Sequence, residues 1–186
     1  MLSRCQLLLL LLGLFLVVVN ADVDCSKRPK LMNPRTCCPL PEFISADLKQ
    51  KCVEYNVTPN GEPITDDTRF HQPSPCFVSC IFNKIGVYEN QKVYIDKLKD
   101  YVQVQFKDNS EMQNLAIDAF TTCGSKISEF KDMKGDFPSL CSWTQTFLVV
   151  CVYKEMLKNC PATLWSNTQE CNDAREYFAN CKPSKK

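Results

Sequence analysis

Thiols are the chemistry this chain carries in quantity: 13 cysteines among 186 residues, against a single histidine. A cysteine can serve as nucleophile, zinc ligand or half of a disulfide, and spacing decides among these. A zinc site wants Cys-x2-Cys or paired histidines, and neither is present. A Cys-His or Ser-His nucleophile needs an imidazole beside it, yet His71 sits in a proline-broken stretch with no partner nominated by the sequence. Disulfides are what remain, and they would leave no thiolate for catalysis. No cofactor, metal or catalytic residue is expected.

Compartment agrees with that reading. Met1 to Ala21 has the parts of a secretory leader: Arg4 in a short basic start, an apolar run from Leu7 to Val19, and Val19-Asn20-Ala21 as a cleavage site. The run is shorter than the ~20 residues a bilayer needs, and polar Asp22-Val23-Asp24 follows it, which argues against a membrane anchor. Cleavage after Ala21 removes Cys5 and Arg4, leaving 12 cysteines and 21 basic against 21 acidic residues. An even cysteine count in an oxidising compartment predicts six disulfides. A neutral chain offers no field for nucleic acid or an anionic membrane. The expected organisation is a leader at 1–21 and one domain at 22–186: an irregular Cys/Pro-rich arm at 22–42, a helical body at 43–160 and a C-terminal extension at 161–186.

The elements that must position the cysteines read as helices. From Ser110 to Phe130, Met112, Leu115, Ala116, Ala119, Phe120, Cys123, Ile127 and Phe130 recur every three or four residues, and Ser110-x-x-Gln113 is a capping box. A second helix is predicted over 142–158, with Thr146, Phe147, Val150, Tyr153, Met156 and Leu157 inward and Lys154 and Lys158 outward. Others are expected at 43–55, 75–86, 93–106 and 168–180, and no stretch has a convincing period of two. The fold class is all-α: one disulfide-stapled domain of six to eight helices around a central hydrophobic cavity. Thr58 to Pro75 is too rich in proline for a helix.

Helix geometry restricts the pairing. Cys76 and Cys80 lie one turn apart with Cβ atoms about 6 Å apart, where a disulfide wants about 3.8 Å. Cys151 and Cys160 are half a revolution out of phase and face different neighbours. Cys171 and Cys181, on one continuous helix, would be about 15 Å apart and could not join. Bridges therefore run between elements, closing long loops worth about 3 to 5 kcal/mol each in the chain-entropy account.

A secreted helical chain with Cys76-x3-Cys80, a cysteine about forty residues on at Cys123, and Cys151-x8-Cys160 resembles the insect odorant-binding proteins. Cys52 supplies the first of the six family positions. Cys141, Pro161 directly after Cys160, and Cys171 are similar to the Plus-C subgroup. The resemblance implies bridges Cys52 to Cys80, Cys76 to Cys151 and Cys123 to Cys160. Cys25, Cys37 and Cys38 then remain early, and Cys141, Cys171 and Cys181 late. Each group being odd, at least one bridge must tie the arm to the C-terminal region.

The resemblance also implies a function: a secreted soluble carrier of small hydrophobic odorants or pheromones in sensillum lymph. Its partners would be a volatile ligand, an olfactory receptor or another odorant-binding protein, with the carrier a monomer or homodimer. Phe77, Ile81, Leu98, Val102, Leu115, Phe120, Trp143, Phe147, Val150 and Tyr153 are the cavity candidates, with plain core the bland alternative for most of them. The rival reading is a secreted salivary or humoral interaction protein that sequesters amines, lipids or a protein partner. Catalysis finds little support: Cys37-Cys38 resembles the vicinal pair of secreted phospholipases, but Pro39-Leu40 stands where His-Asp would follow. His71 is a candidate pH sensor, and Asn56-Val57-Thr58 is a formal glycosylation sequon with Pro59 behind it.

Overall fold

A computed structural model describes residues 23–27, 34–57, 61–62, 74–133 and 139–181. The expected leader, His71 and Thr58 of the sequon lie outside these residues. Among those described, seven α-helices follow in order: α1 (Ala46–Lys51), α2 (Pro75–Ile85), α3 (Ile95–Gln105), α4 (Ser110–Gly124), α5 (Ile127–Phe130), α6 (Thr144–Lys158) and α7 (Gln169–Asn180). Short 3-10 turns occupy Pro34–Thr36 and Val53–Tyr55. The all-α class is correct.

Boundaries follow local chemistry. Helix α2 starts with Pro75 in its first turn, where a missing N–H costs nothing, and ends at Gly86, whose φ of 66° permits the left-handed cap. Ser45 caps α1 and Thr168 caps α7, each side chain accepting a bond from the first turn. At α4 the expected cap shifts by one residue. Asn109 Oδ1 accepts from Met112 N–H at 3.0 Å, and Gln113 instead donates to the Phe106 carbonyl at 2.8 Å. The helix expected over 110–130 is broken after Gly124. Ser125 Oγ donates to the Thr122 carbonyl at 2.7 Å, satisfying a group the next turn would have used. A Cβ on Gly124 would also come within 3.3 Å of Val93 Cγ2, so glycine lets the next element close in.

That next element is a hairpin, in a stretch where no period of two is expected. Tyr88–Glu89 (β1) and Lys92–Val93 (β2) form a two-residue hairpin, turned by Asn90 and Gln91 at φ 50° and 59°. Both central residues have the positive φ of a type I′ turn, but strands of two residues are too short to display alternation.

The main core gathers Leu98 and Val102 from α3, Met112, Leu115, Ala116, Ala119 and Phe120 from α4, and Leu148, Val152 and Met156 from α6. An aromatic chain runs through it. Phe43 meets Phe106 edge-on at 5.0 Å and Phe120 at 5.4 Å, while Phe120 lies 6.4 Å from Phe82, which meets Tyr88 at 6.0 Å. Tyr101 donates its hydroxyl to the Phe43 carbonyl and so fastens the start of the body to α3. On the surface nearby, Glu42 bonds Lys49 and Arg35, and these cations hold its carboxyl below the usual range, Lys49 contributing most.

The expected inward face of α6 needs rotating. Thr146, Met156 and Leu157 are buried, but Phe147, Val150 and Tyr153 are half-buried, and Gln145, Leu148 and Val152 take the interior. The cause is the Cys123–Cys151 bridge, which turns the Cys151 side of α6 toward α4 and brings Leu148, Val152 and Met156 onto the core.

The twelve cysteines from Cys25 to Cys181 are all paired: Cys25–Cys181, Cys37–Cys171, Cys38–Cys160, Cys52–Cys80, Cys76–Cys141 and Cys123–Cys151. The bar on joining Cys76 to Cys80 holds, as do the Cys52 to Cys80 bridge and the link from arm to C-terminus. Two implied pairs are wrong: Cys76 does not bond Cys151, and Cys123 does not bond Cys160. Cys141 lies just before α6, where the starts of α2 and α6 adjoin, so it takes Cys76. With Cys151 turned to α4, Cys160 beyond the end of α6 is left to the arm. Peptide mapping without reduction should recover Cys76–Cys141 and Cys38–Cys160 peptides; recovering Cys76–Cys151 instead would refute this connectivity.

The extension is fastened by more than sulfur. Ser166 N–H donates to the Cys37 carbonyl at 2.8 Å, and Arg175 donates to the Cys160 carbonyl at 3.0 Å. The Arg175 guanidinium stacks 3.4 Å from the Trp165 ring centre, and burial pulls its pKa down.

Candidate ligand-binding site

The ten residues proposed from the sequence as a ligand wall fall into three groups. Leu98, Val102, Leu115 and Phe120 belong to the main core, with Tyr153 packed against its edge. Phe77 and Ile81 form a second cluster around Cys52, bordered by Ile44, Leu48, Cys80 and Ile85. These two come together because α2 is stapled to the end of α1 by Cys52–Cys80. Trp143, Phe147 and Val150 lie along α6, the first two rings 6.0 Å apart.

The ten thus surround α2, α3, α4 and α6 without meeting at one described hollow. A half-open cavity of about 230 Å³ lies between the hairpin and the α4–α5 break, lined by Val93, Ile95, Gly124 and Ile127 with polar Gln91, Lys92, Thr121 and Ser125. Another, of about 280 Å³, lies between α4 and α6 and is lined by Leu115, Asp118, Ala119, Thr122, Glu155 and Asn159. Of the ten, Leu115 alone lines either. Both are smaller than the roughly 300 to 1,000 Å³ of sites that enclose a ligand.

The start of α6 carries polar groups that hydrophobic periodicity does not single out. Ser79 Oγ donates to Gln145 Oε1 at 2.6 Å, and Gln145 is buried. Ser142 Oγ donates to the Thr144 hydroxyl at 2.9 Å and also accepts from Thr144 N–H. The Thr146 hydroxyl is fully buried and makes no hydrogen bond. A pattern of Thr, Gln and Thr at the start of an otherwise apolar helix was the available signal. Polar residues are ordinary at a helix beginning, so the pattern does not stand out there.

Among the described residues, no group of three His, Cys, Asp or Glu side chains could hold a metal ion, and no helix is long and apolar enough to cross a membrane.

The stapled, mostly helical body with Cys76 and Cys80 on one helix bears out the fold expected of an insect odorant-binding protein, and the family model described as AgamOBP47-like matches residues 41–177. The chain belongs to that family. It is similar to General odorant-binding protein 68 of Anopheles gambiae, 22% identical over 162 residues, covering 82% of this chain and 71% of the relative. It is similar also to Odorant-binding protein 47 of the same mosquito, 22% identical over 177 residues, covering 88% and 75%.

Proposed function

We propose that this chain is an extracellular carrier of small hydrophobic volatiles, odorants or pheromones, which it takes up in sensory lymph and delivers to receptors. It acts without catalysis and belongs to the Plus-C subgroup. The leader ends at Ala21, and residues 22–186 work as one domain. The observation that carries this reading is the family match across most of the helical body. The apolar interior between α2, α3, α4 and α6 supplies the chemistry, with the ten residues named above as its wall.

Burying roughly 300 Å² of apolar ligand surface is worth about 7 kcal/mol. Micromolar affinity corresponds to about 8 kcal/mol, which dispersion contacts and one hydrogen bond bring within reach after association costs. Admission requires the wall to shift, and the half-buried side of α6 at Phe147, Val150 and Tyr153 offers the least resistance.

The test is displacement of the fluorescent apolar probe N-phenyl-1-naphthylamine from the oxidised chain by a broad panel of volatiles. Displacement at micromolar concentrations is expected. If no member of the panel displaces it, the carrier reading fails and sequestration of a protein partner takes its place.

A further inference from the structure

Thr146 lies on one face of α6 with Trp143, Val150 and Tyr153, which stand at i−3, i+4 and i+7 from it. Those three are expected wall residues. Trp143 is buried and Val150 and Tyr153 are half-buried, so this face passes from interior to surface along its length. Within it the Thr146 hydroxyl is 0% exposed and has no hydrogen-bond partner. Threonine in a helix ordinarily satisfies its hydroxyl on the carbonyl one turn back. Here that residue is Ser142, which precedes the helix, and no bond from Thr146 reaches its carbonyl. Neighbouring Gln145 is different: Ser79 satisfies its carbonyl oxygen. Thr146 is thus an orphan beside the partnered Ser142, Thr144 and Gln145; the other buried polar atom without a partner among the described residues, Arg175 Nε, lies on α7.

A buried hydroxyl without a partner is costly, and valine has the same shape without the cost. Retaining oxygen here makes physical sense if the partner arrives with a ligand. We propose that Thr146 is the polar anchor of the ligand site, selecting apolar molecules that carry one hydroxyl or carbonyl oxygen over pure hydrocarbons of the same length. This rests on the carrier reading above and adds the ligand's chemical class. A hydroxyl both donates and accepts, so alcohols and ketones are favoured alike, while the α6 face of Trp143, Val150 and Tyr153 takes the hydrocarbon part.

The test compares decanol, decanone and decane as competitors for N-phenyl-1-naphthylamine on the native chain, Thr146→Val and Thr146→Ser. Decanol and decanone should compete about five- to tenfold better than decane on the native chain, as one hydrogen bond predicts. Thr146→Val should erase that advantage and leave decane unchanged, whereas Thr146→Ser should keep it. Equal competition by all three on the native chain, or an advantage that survives Thr146→Val, overturns the anchor while leaving the carrier intact. Loss of the advantage in Thr146→Ser overturns it as well. If none of the three competes on the native chain, the carrier reading and the anchor fall together.

Discussion

Replacing Phe120 by alanine is expected to cost about 3 to 5 kcal/mol of folding stability, measured by denaturant unfolding of the oxidised chain. Phe120 is 5% exposed and joins Phe43, at the start of the body, to Phe82 in α2. Its removal leaves α4 facing a void bounded by α2 and the segment before α1. Bridges hold the surrounding backbone, so collapse into the void is limited and the cavity term persists. Phe120 is also one of the ten proposed wall residues, and the same measurement bears on that role. A loss below about 1 kcal/mol would mean that its ring borders open space and not packed core.

The second large effect concerns the three bridges of the arm. They are nested: Cys25–Cys181 encloses Cys37–Cys171, which encloses Cys38–Cys160. Each spans more than a hundred residues, but with its neighbours in place it closes only a short additional loop of about a dozen to two dozen residues. Removing Cys38–Cys160 alone, with alanine at both positions, should therefore cost about 3 kcal/mol and not the nearly 5 that a loop over a hundred residues long suggests. Alanine at Cys37, Cys38, Cys160 and Cys171 together should cost about 6 kcal/mol, comparable with the whole stability of many domains. Far-ultraviolet circular dichroism through a urea titration reads both. A single-pair loss of about 5 kcal/mol or more would mean the bridges act independently, contrary to the nesting.

The helices were legible because they are long and one-sided. The α4 stripe from Met112 to Cys123 is buried as its spacing requires, and α2, α3 and α7 begin and end within two residues of expectation. What escaped was rotation and short-range competition. The face of α6 depends on which partner Cys151 finds, and a bridge is a tertiary choice that spacing along one helix cannot reveal. The same choice redirected Cys76 to Cys141 and Cys160 to Cys38. The break at Ser125 and the Asn90-Gln91 turn are decided by single side chains and backbone angles, below the resolution of hydrophobic patterning. For the ligand wall, apolar residues at helical spacing identify an interior, and only packing divides that interior into clusters. Thr146 was legible as an inward residue, but its lack of a partner became visible only once Ser79, Ser142 and Gln145 were placed.

The outermost bridge has a mechanical meaning. Cys25 and Cys181 are 5.4 Å apart at their Cα atoms, so the covalent path from one end of the domain to the other is only a few bonds long. Tension applied between residues before Cys25 and after Cys181 passes through that sulfur pair and bypasses the helices, which carry no load while the bond survives. Tethers or labels added at both ends would leave from one point on the surface.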